Sequence, residues 1–157
     1  MEIRPMKEKD IAQIRELVNF CKPLDLHTAF TYWILAKYFN NTCLVLEDRG
    51  TIVGYTGGMK SSSKEEVFYL WQIGLLPKYR GTGCFGLLLD KVMDAAKESG
   101  CEVLQFSVLS DNYQSIAAFS SYAKKKGILL IKKDSLKFYD SIEKQEFEED
   151  IYELPLI

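Results

Sequence analysis

The chain has 157 residues, 47% hydrophobic and 13% aromatic, enough to bury roughly two-thirds of the surface its unfolded form exposes. Lys plus Arg number 20 and Asp plus Glu 22, a net charge of −2, which argues against an electrostatic nucleic-acid face. The single histidine, His27, excludes most His-rich metal sites and paired-histidine acid–base schemes, so no metal is expected. The cysteines at 21, 43, 84 and 101 lack C-x-x-C spacing, which speaks against a zinc knuckle or thioredoxin motif. With no apolar leader and no run near 20 apolar residues, the chain reads as cytoplasmic, off the membrane, with reduced thiols.

Residues 1–6 read as a first strand. Asp10 and Gln13 resemble a capping box before a helix with Ile11, Ile14, Leu17, Val18 and Cys21 on one face, which Pro23 interrupts. A second, aromatic-rich helix is expected from about Leu26 to Phe39. Residues 42–48 and 51–60 are β-rich runs joined at Asp48-Arg49-Gly50, which spells a hairpin. Residues 65–76 read as a long strand, buried on both faces toward its end and broken by Pro77. A helix from about Gly83 to Ser99 is expected to bury Leu87, Leu88, Val92, Ala95 and Ala96 and to stop at Gly100. Strand 102–109 follows, then a helix from Asp111 or Asn112 to about Lys126, then an apolar strand after Gly127 over Ile128-Leu129-Leu130-Ile131. The stretch 133–150 is charged, and 151–157 reads as a final strand.

The order β-α-α-β-β-β-α-β-α-β-β predicts a single α+β (mixed α/β) domain over 1–157, with a central, mostly antiparallel sheet flanked by helices. No linker or repeat divides it.

The run Arg80-Gly81-Thr82-Gly83-Cys84-Phe85-Gly86 follows a strand and opens a helix. Its glycines let the backbone approach a ligand, free amides at a helix start face an anion, and Arg80 adds a charged donor. A tight strand-to-helix turn that merely needs glycine is the other reading. Gly81, Gly83 and Gly86 match G-x-G-x-x-G in letters. That dinucleotide motif, however, belongs to a first βαβ unit with an acidic residue about 20 positions on. A Walker A loop is excluded by the missing G-K-[ST].

These residues, from strand 65–76 through Arg80-Gly81-x-Gly83, resemble the acetyl-CoA motif Q/R-x-x-G-x-G/A of the GNAT N-acetyltransferase superfamily, with Phe85 at the last place and Gly86 one later. The resemblance covers the element order of the whole chain and implies the GNAT acyl-CoA N-acyltransferase fold. It implies loop amides around a CoA pyrophosphate and pantetheine along the backbone of Ile73 and Leu75. Within that superfamily, four segments resemble the diaminobutyrate acetyltransferases of the ectoine pathway: Asp25-Leu26-His27-Thr28-Ala29-Phe30-Thr31-Tyr32, Phe39 to Cys43, Tyr69-Leu70-Trp71-Gln72-Ile73, and Asp111-Asn112 through Ser115 to Phe119. His27 and Phe30 stand where that pattern has Asn and Tyr.

The resemblance implies acetyl transfer to a small amine, with the γ-amine of L-2,4-diaminobutyrate as the specific expectation, by direct transfer in a ternary complex. Another amine (a polyamine, amino acid, antibiotic or protein) and a non-catalytic acetyl-CoA sensor or scaffold are the alternatives. The chemistry requires a neutral amine, and a free amine has a pKa of about 10, so a proton must leave; an oxyanion then needs donors. Many family members carry an acidic tyrosine seven residues after the Asn of the last helix. Here that position is Phe119, which cannot donate and is left as a CoA contact; Asn112 is a CoA contact or only a helix cap. Tyr122, one turn on, is the candidate acid. Asp25 is the candidate for the substrate ammonium, although a helix cap is an equal reading. His27, Phe30, Tyr32 and Trp71 are the other acceptor-wall candidates: Trp71 can offer its indole N–H to a carboxylate, with core packing the other reading, and His27 can serve as a base, with a surface histidine at a helix start the other reading; of the adjacent Tyr32 and Trp33, one lines the pocket and one packs. Of Glu148, Glu149 and Asp150, at least two are expected to be merely solvated. Members of the superfamily often dimerise, so a homodimer is compatible, and whether the tail 133–157 pairs within the chain or across a partner stays open.

Overall fold

A computed structural model describes residues 1–157. Its elements are β1 (Glu2–Pro5), α1 (Ile11–Phe20), α2 (Ala29–Tyr38), β2 (Cys43–Asp48), β3 (Thr51–Lys60), β4 (Val67–Leu75), α3 (Cys84–Glu98), β5 (Val103–Leu109), α4 (Tyr113–Lys126), β6 (Ile131–Asp140) and β7 (Gln145–Pro155). The seven strands form one sheet in the order β1-β2-β3-β4-β5-β7-β6. Every neighbouring pair is antiparallel except β4–β5, and the tail pairs within its own chain.

The sheet buries both faces at its centre. Cys43 and Val45 of β2 pack with α1 and α2 around Ile14, Leu17, Val18 and Tyr32. The alternate residues Leu44 and Leu46 pack toward α3. That two-sided burial explains why β2 and β3 read as continuous apolar runs. The β2–β3 turn needs left-handed backbone at both central residues, and Arg49 (φ 51°) and Gly50 (φ 81°) supply it.

Local details depart from the sequence reading. Asp10 and Gln13 do not form a capping box. Asp10 is itself helical and accepts from Arg4 (2.8 and 2.9 Å) and from the Lys7 N–H (2.8 Å), while Gln13 Oε1 accepts the Ile52 N–H at 2.9 Å. The second helix starts three residues later than expected because Thr28 caps it, accepting the Thr31 N–H. Leu87 is 53% exposed; Leu88, Leu89, Val92 and Met93 form the buried stripe of α3. Residues 128–130 are not a strand. Gly127, at φ 67°, closes α4, and Ile128 and Leu130 pack beneath the core before β6 begins. The charged stretch 133–150 forms most of a β6–β7 ribbon, paired Lys137 to Glu148 and Phe138 to Phe147, whose rings stack at 5.3 Å.

The feature that positions the site is a splay. β4 and β5 pair only from Val67/Val103 to Leu70/Phe106. Beyond that, β4 runs on to Leu75 and β5 to Leu109 without each other. A bulge starts the divergence: Gly57 faces Gln72 and Gly58 faces Leu70, leaving Trp71 as the extra residue of β4.

Candidate active site

Two cavities open at the splay, of about 660 and 420 Å³. They share Pro23, Leu24, Ile73, Asn112, Ser115 and Phe119, and so meet between the diverging strands.

The smaller cavity adjoins the glycine loop, through Arg80, Gly81 and Phe85. From Gly81 to Gly86, six consecutive backbone N–H groups have no hydrogen-bond partner within the chain. They sit at the N-terminus of the 15-residue α3, where the helix dipole adds to their attraction for an anion. Gly81 (φ 72°) and Gly83 (φ 91°) hold the left-handed backbone that exposes them. The Arg80 side chain faces the strand: Nε donates to the Leu75 carbonyl at 3.0 Å and Nη2 lies 3.7 Å from the Cys21 sulfur. Arg80 thus ties the loop to the end of β4. Thr82 donates its hydroxyl to the Tyr79 carbonyl. Cys84 is buried, with its sulfur 3.8 Å from Met1 Sδ, and contributes its backbone amide alone.

Along β4, the bond from the Leu76 N–H to the Val53 carbonyl sets the alternation. The backbone groups of Ile73 and Leu75 therefore face the unpaired side; the Leu75 carbonyl already accepts from Arg80, and the others are left as strand-edge donors and acceptor for a ligand. Phe119 closes the passage as an aromatic wall, stacked on Phe106 at 3.7 Å and edge-on to Phe85 at 5.2 Å. Asn112 caps α4 by accepting the Ser115 N–H and lines both cavities.

The larger cavity is acidic. Asp25, Asp140, Glu143 and Glu149 line it, and no Lys or Arg does. The Asp25–His27 segment is fixed from behind: Gln72 Nε2 donates to the Asp25 carbonyl at 2.9 Å and Arg15 Nε to the His27 carbonyl at 3.2 Å. The His27 ring lies 4.7 Å from that of Trp71, and both line the cavity. Tyr69 and Ser107 share a 2.6 Å hydroxyl–hydroxyl bond across β4 and β5. Burial, reinforced by Asp25 and Asp150, pushes the Glu149 carboxyl above the usual carboxylate range.

Of the acidic run 148–150, only Glu149 reaches the cavity. Glu148 is exposed, and Asp150 takes Ser135 Oγ (2.9 Å) and Lys132 (3.3 Å). Residue type alone marks neither Glu149 within the acidic run nor Tyr69 and Ser107 as site residues. Strand alternation at 148–150 was the one available signal.

Three expected site residues stand elsewhere. Tyr122 lines neither cavity: it is buried, donates to Asp90 Oδ1 at 2.7 Å, and its pKa is raised by burial and by that carboxylate. Such a phenol is held by α3 and is no proton donor to the passage. Tyr122→Phe is expected to leave kcat almost unchanged. It should cost about 1 kcal/mol of stability, the low side for a bond to a charged group, because Asp90 is 39% exposed and keeps Lys126. Steady-state assay and thermal melting check the pair. Tyr32 is fully buried in the α1–α2 core, its hydroxyl 3.5 Å from Gln72 Oε1, so it supports the wall from behind. Phe30 is 65% exposed and stacks on Trp33 at 5.6 Å, outside both cavities, so neither member of the Tyr32–Trp33 pair lines the acceptor space.

No group of three or more His, Cys, Asp or Glu side chains is placed to hold a metal ion, and no helix is long and apolar enough to cross a membrane.

The acetyltransferase (GNAT) family model matches residues 11–122. L-2,4-diaminobutyric acid acetyltransferase of Halomonas elongata is 34% identical over 122 residues, 77% of this chain and 64% of that protein. The enzyme of the same name from Chromohalobacter salexigens is 33% identical over 111 residues, 70% of this chain and 58% of that protein. The matched segments thus span less than two-thirds of these relatives. Among solved structures, the diaminobutyrate acetyltransferase of Paenibacillus lautus, in complex with L-2,4-diaminobutyric acid and coenzyme A, superposes with a TM-score of 0.83. It is 24% identical, with 99% of this chain and 94% of that one covered, and shares the fold.

Proposed function

The chain belongs to the GNAT acetyltransferase family, and from that premise we propose that it transfers the acetyl group of acetyl-CoA to the γ-amine of L-2,4-diaminobutyrate. The observation that carries the reading is the meeting, at the splay, of a loop of six free amides with a cavity lined by four carboxylates and no Lys or Arg. The first suits a pyrophosphate and the second a diamine.

The reading includes direct transfer in a ternary complex, which this arrangement supports. Acetyl-CoA supplies the acyl carbon and the leaving thiolate. The amides at 81–86 hold its phosphates, and the open edge of Ile73 and Leu75 aligns the pantetheine arm. Asp25 holds one ammonium of the acceptor. Glu149 takes the proton from the attacking amine, for which a raised carboxylate pKa is suited. Strand amides at the splay stabilise the oxyanion. The proposal includes one domain over residues 1–157, a cytoplasmic setting consistent with four free buried cysteines, and no nucleic-acid partner. It also includes a homodimer, for which β6 is an exposed edge strand.

A second reading rests on the same lining: with no Lys or Arg present, a carboxylate-free diamine or polyamine also fits. CoA release measured across diaminobutyrate, ornithine, lysine and spermidine separates the two. Turnover with diaminobutyrate foremost is expected; turnover confined to spermidine selects the second reading. Asp25→Ala should raise the amine KM about 10- to 100-fold with little change in that of acetyl-CoA. Equal effects on both KM values would remove Asp25 from the acceptor site.

A further inference from the structure

A diamino-acid acceptor carries a carboxylate as well as two ammonium groups. The larger cavity matches the ammonium groups with Asp25, Asp140, Glu143 and Glu149, and those same groups repel the carboxylate. A carboxylate entering there needs an N–H donor. Gln72 Nε2 is committed to the Asp25 carbonyl, and one of the Tyr69 and Ser107 hydroxyl protons to their shared bond; the other donors on the wall, Trp71, Asn112 and Ser115 among them, are neutral. His27 is the one lining side chain able to bear positive charge. Its ring rests on Trp71 at 4.7 Å, and its backbone is anchored by Arg15, so its position is set before any ligand arrives. It also stands two residues from Asp25, on the same fixed segment.

We propose that His27 recognises the carboxylate of the acceptor, so that the 25–27 segment grips the α-amino-acid head group and leaves the side-chain amine facing the passage. This assignment rests on the acetyl-transfer reading of the same cavity. It names His27 as the residue that distinguishes an amino acid from a plain diamine.

The test compares L-2,4-diaminobutyrate with 1,3-diaminopropane, which keeps both amines and lacks the carboxylate. Wild-type protein and the His27→Leu and His27→Gln variants are assayed for kcat/KM with each. For His27→Leu, the fall with diaminobutyrate should exceed the fall with diaminopropane by about 10- to 100-fold, the range for losing one bond to a charged group. His27→Gln, which keeps an N–H donor, should recover part of the difference. Equal falls with both amines in both variants would make His27 a packing residue and overturn the assignment, as would a His27→Leu variant unaltered toward either. Wild-type protein that acetylates diaminopropane and not diaminobutyrate would overturn it too, while leaving amine acetylation intact. Wild-type protein that acetylates neither would overturn the acetyl-transfer reading, and with it this one.

Discussion

Gly83→Val is expected to abolish acetyl-CoA binding while leaving the fold intact. A Cβ at Gly83 meets nothing within 4 Å, so packing does not oppose the substitution. The backbone does. Gly83 sits at φ 91°, which a β-branched residue adopts only under strain, so the loop turns to relieve it. That turn re-aims the amides of residues 81–86, each of which is worth about 1.5–3 kcal/mol to a charged acceptor. Loss of two such bonds raises the Kd for CoA at least about 100-fold. Calorimetric titration with CoA reads the effect, and circular dichroism checks the fold. Gly86→Ala is the control: it lies inside α3 at ordinary backbone angles, its Cβ would meet only Tyr122, at 3.9 Å, and CoA affinity should be little changed. Comparable losses in the two variants would mean that bulk, and not loop conformation, governs the site.

The same physics explains which parts of the molecule were legible in the amino-acid order. A left-handed backbone leaves a signature in residue type, so Arg49-Gly50 marked the hairpin and Gly81-x-Gly83 marked the anion loop. Burial on both faces of β2, β3 and β4 left apolar runs that placed the central sheet. The β6–β7 ribbon left neither signal. Its strands are stabilised by cross-strand pairs such as Lys137–Glu148 and Phe138–Phe147, and a pairing partner cannot be read from one strand alone. Residues 128–130 are apolar without being a strand because Ile128 and Leu130 pack against the core outside any ladder, while Leu129 is exposed. Spacing on α4 misled for a related reason. Tyr122 is three residues past Phe119, about 60° around the helix, and that rotation brings its hydroxyl to Asp90 of α3 instead of to the passage. On α2, exposed Phe30 and buried Tyr32 sit on different faces, and the cavity wall comes from neither.

Glu149 illustrates how much a single register decides. One residue of slip in β7 would send Glu148 or Asp150 into the cavity instead, since alternate residues face opposite sides. In the observed register, Glu149 is held near Asp25, and burial together with that neighbour raises its pKa. A base with a raised pKa is the better proton acceptor for an ammonium. Glu149→Gln is therefore expected to lower kcat by about 10²- to 10⁴-fold, the usual weight of general-base catalysis, with a smaller change in the KM for acetyl-CoA. The acidic limb of the kcat/KM profile, which falls as pH drops through the raised pKa, should disappear with it. Stability should move the opposite way. A carboxyl whose folded pKa is raised favours its protonated form in the fold, so the stabilisation it gives is present at low pH and lost as pH rises through that pKa. The variant carries no such ionisation. Its melting temperature should exceed that of the wild type above the shifted pKa, and the gap should close toward acidic pH. An unchanged kcat alongside this stability pattern would leave Glu149 as a source of charge repulsion in the cavity and move the general base to another group.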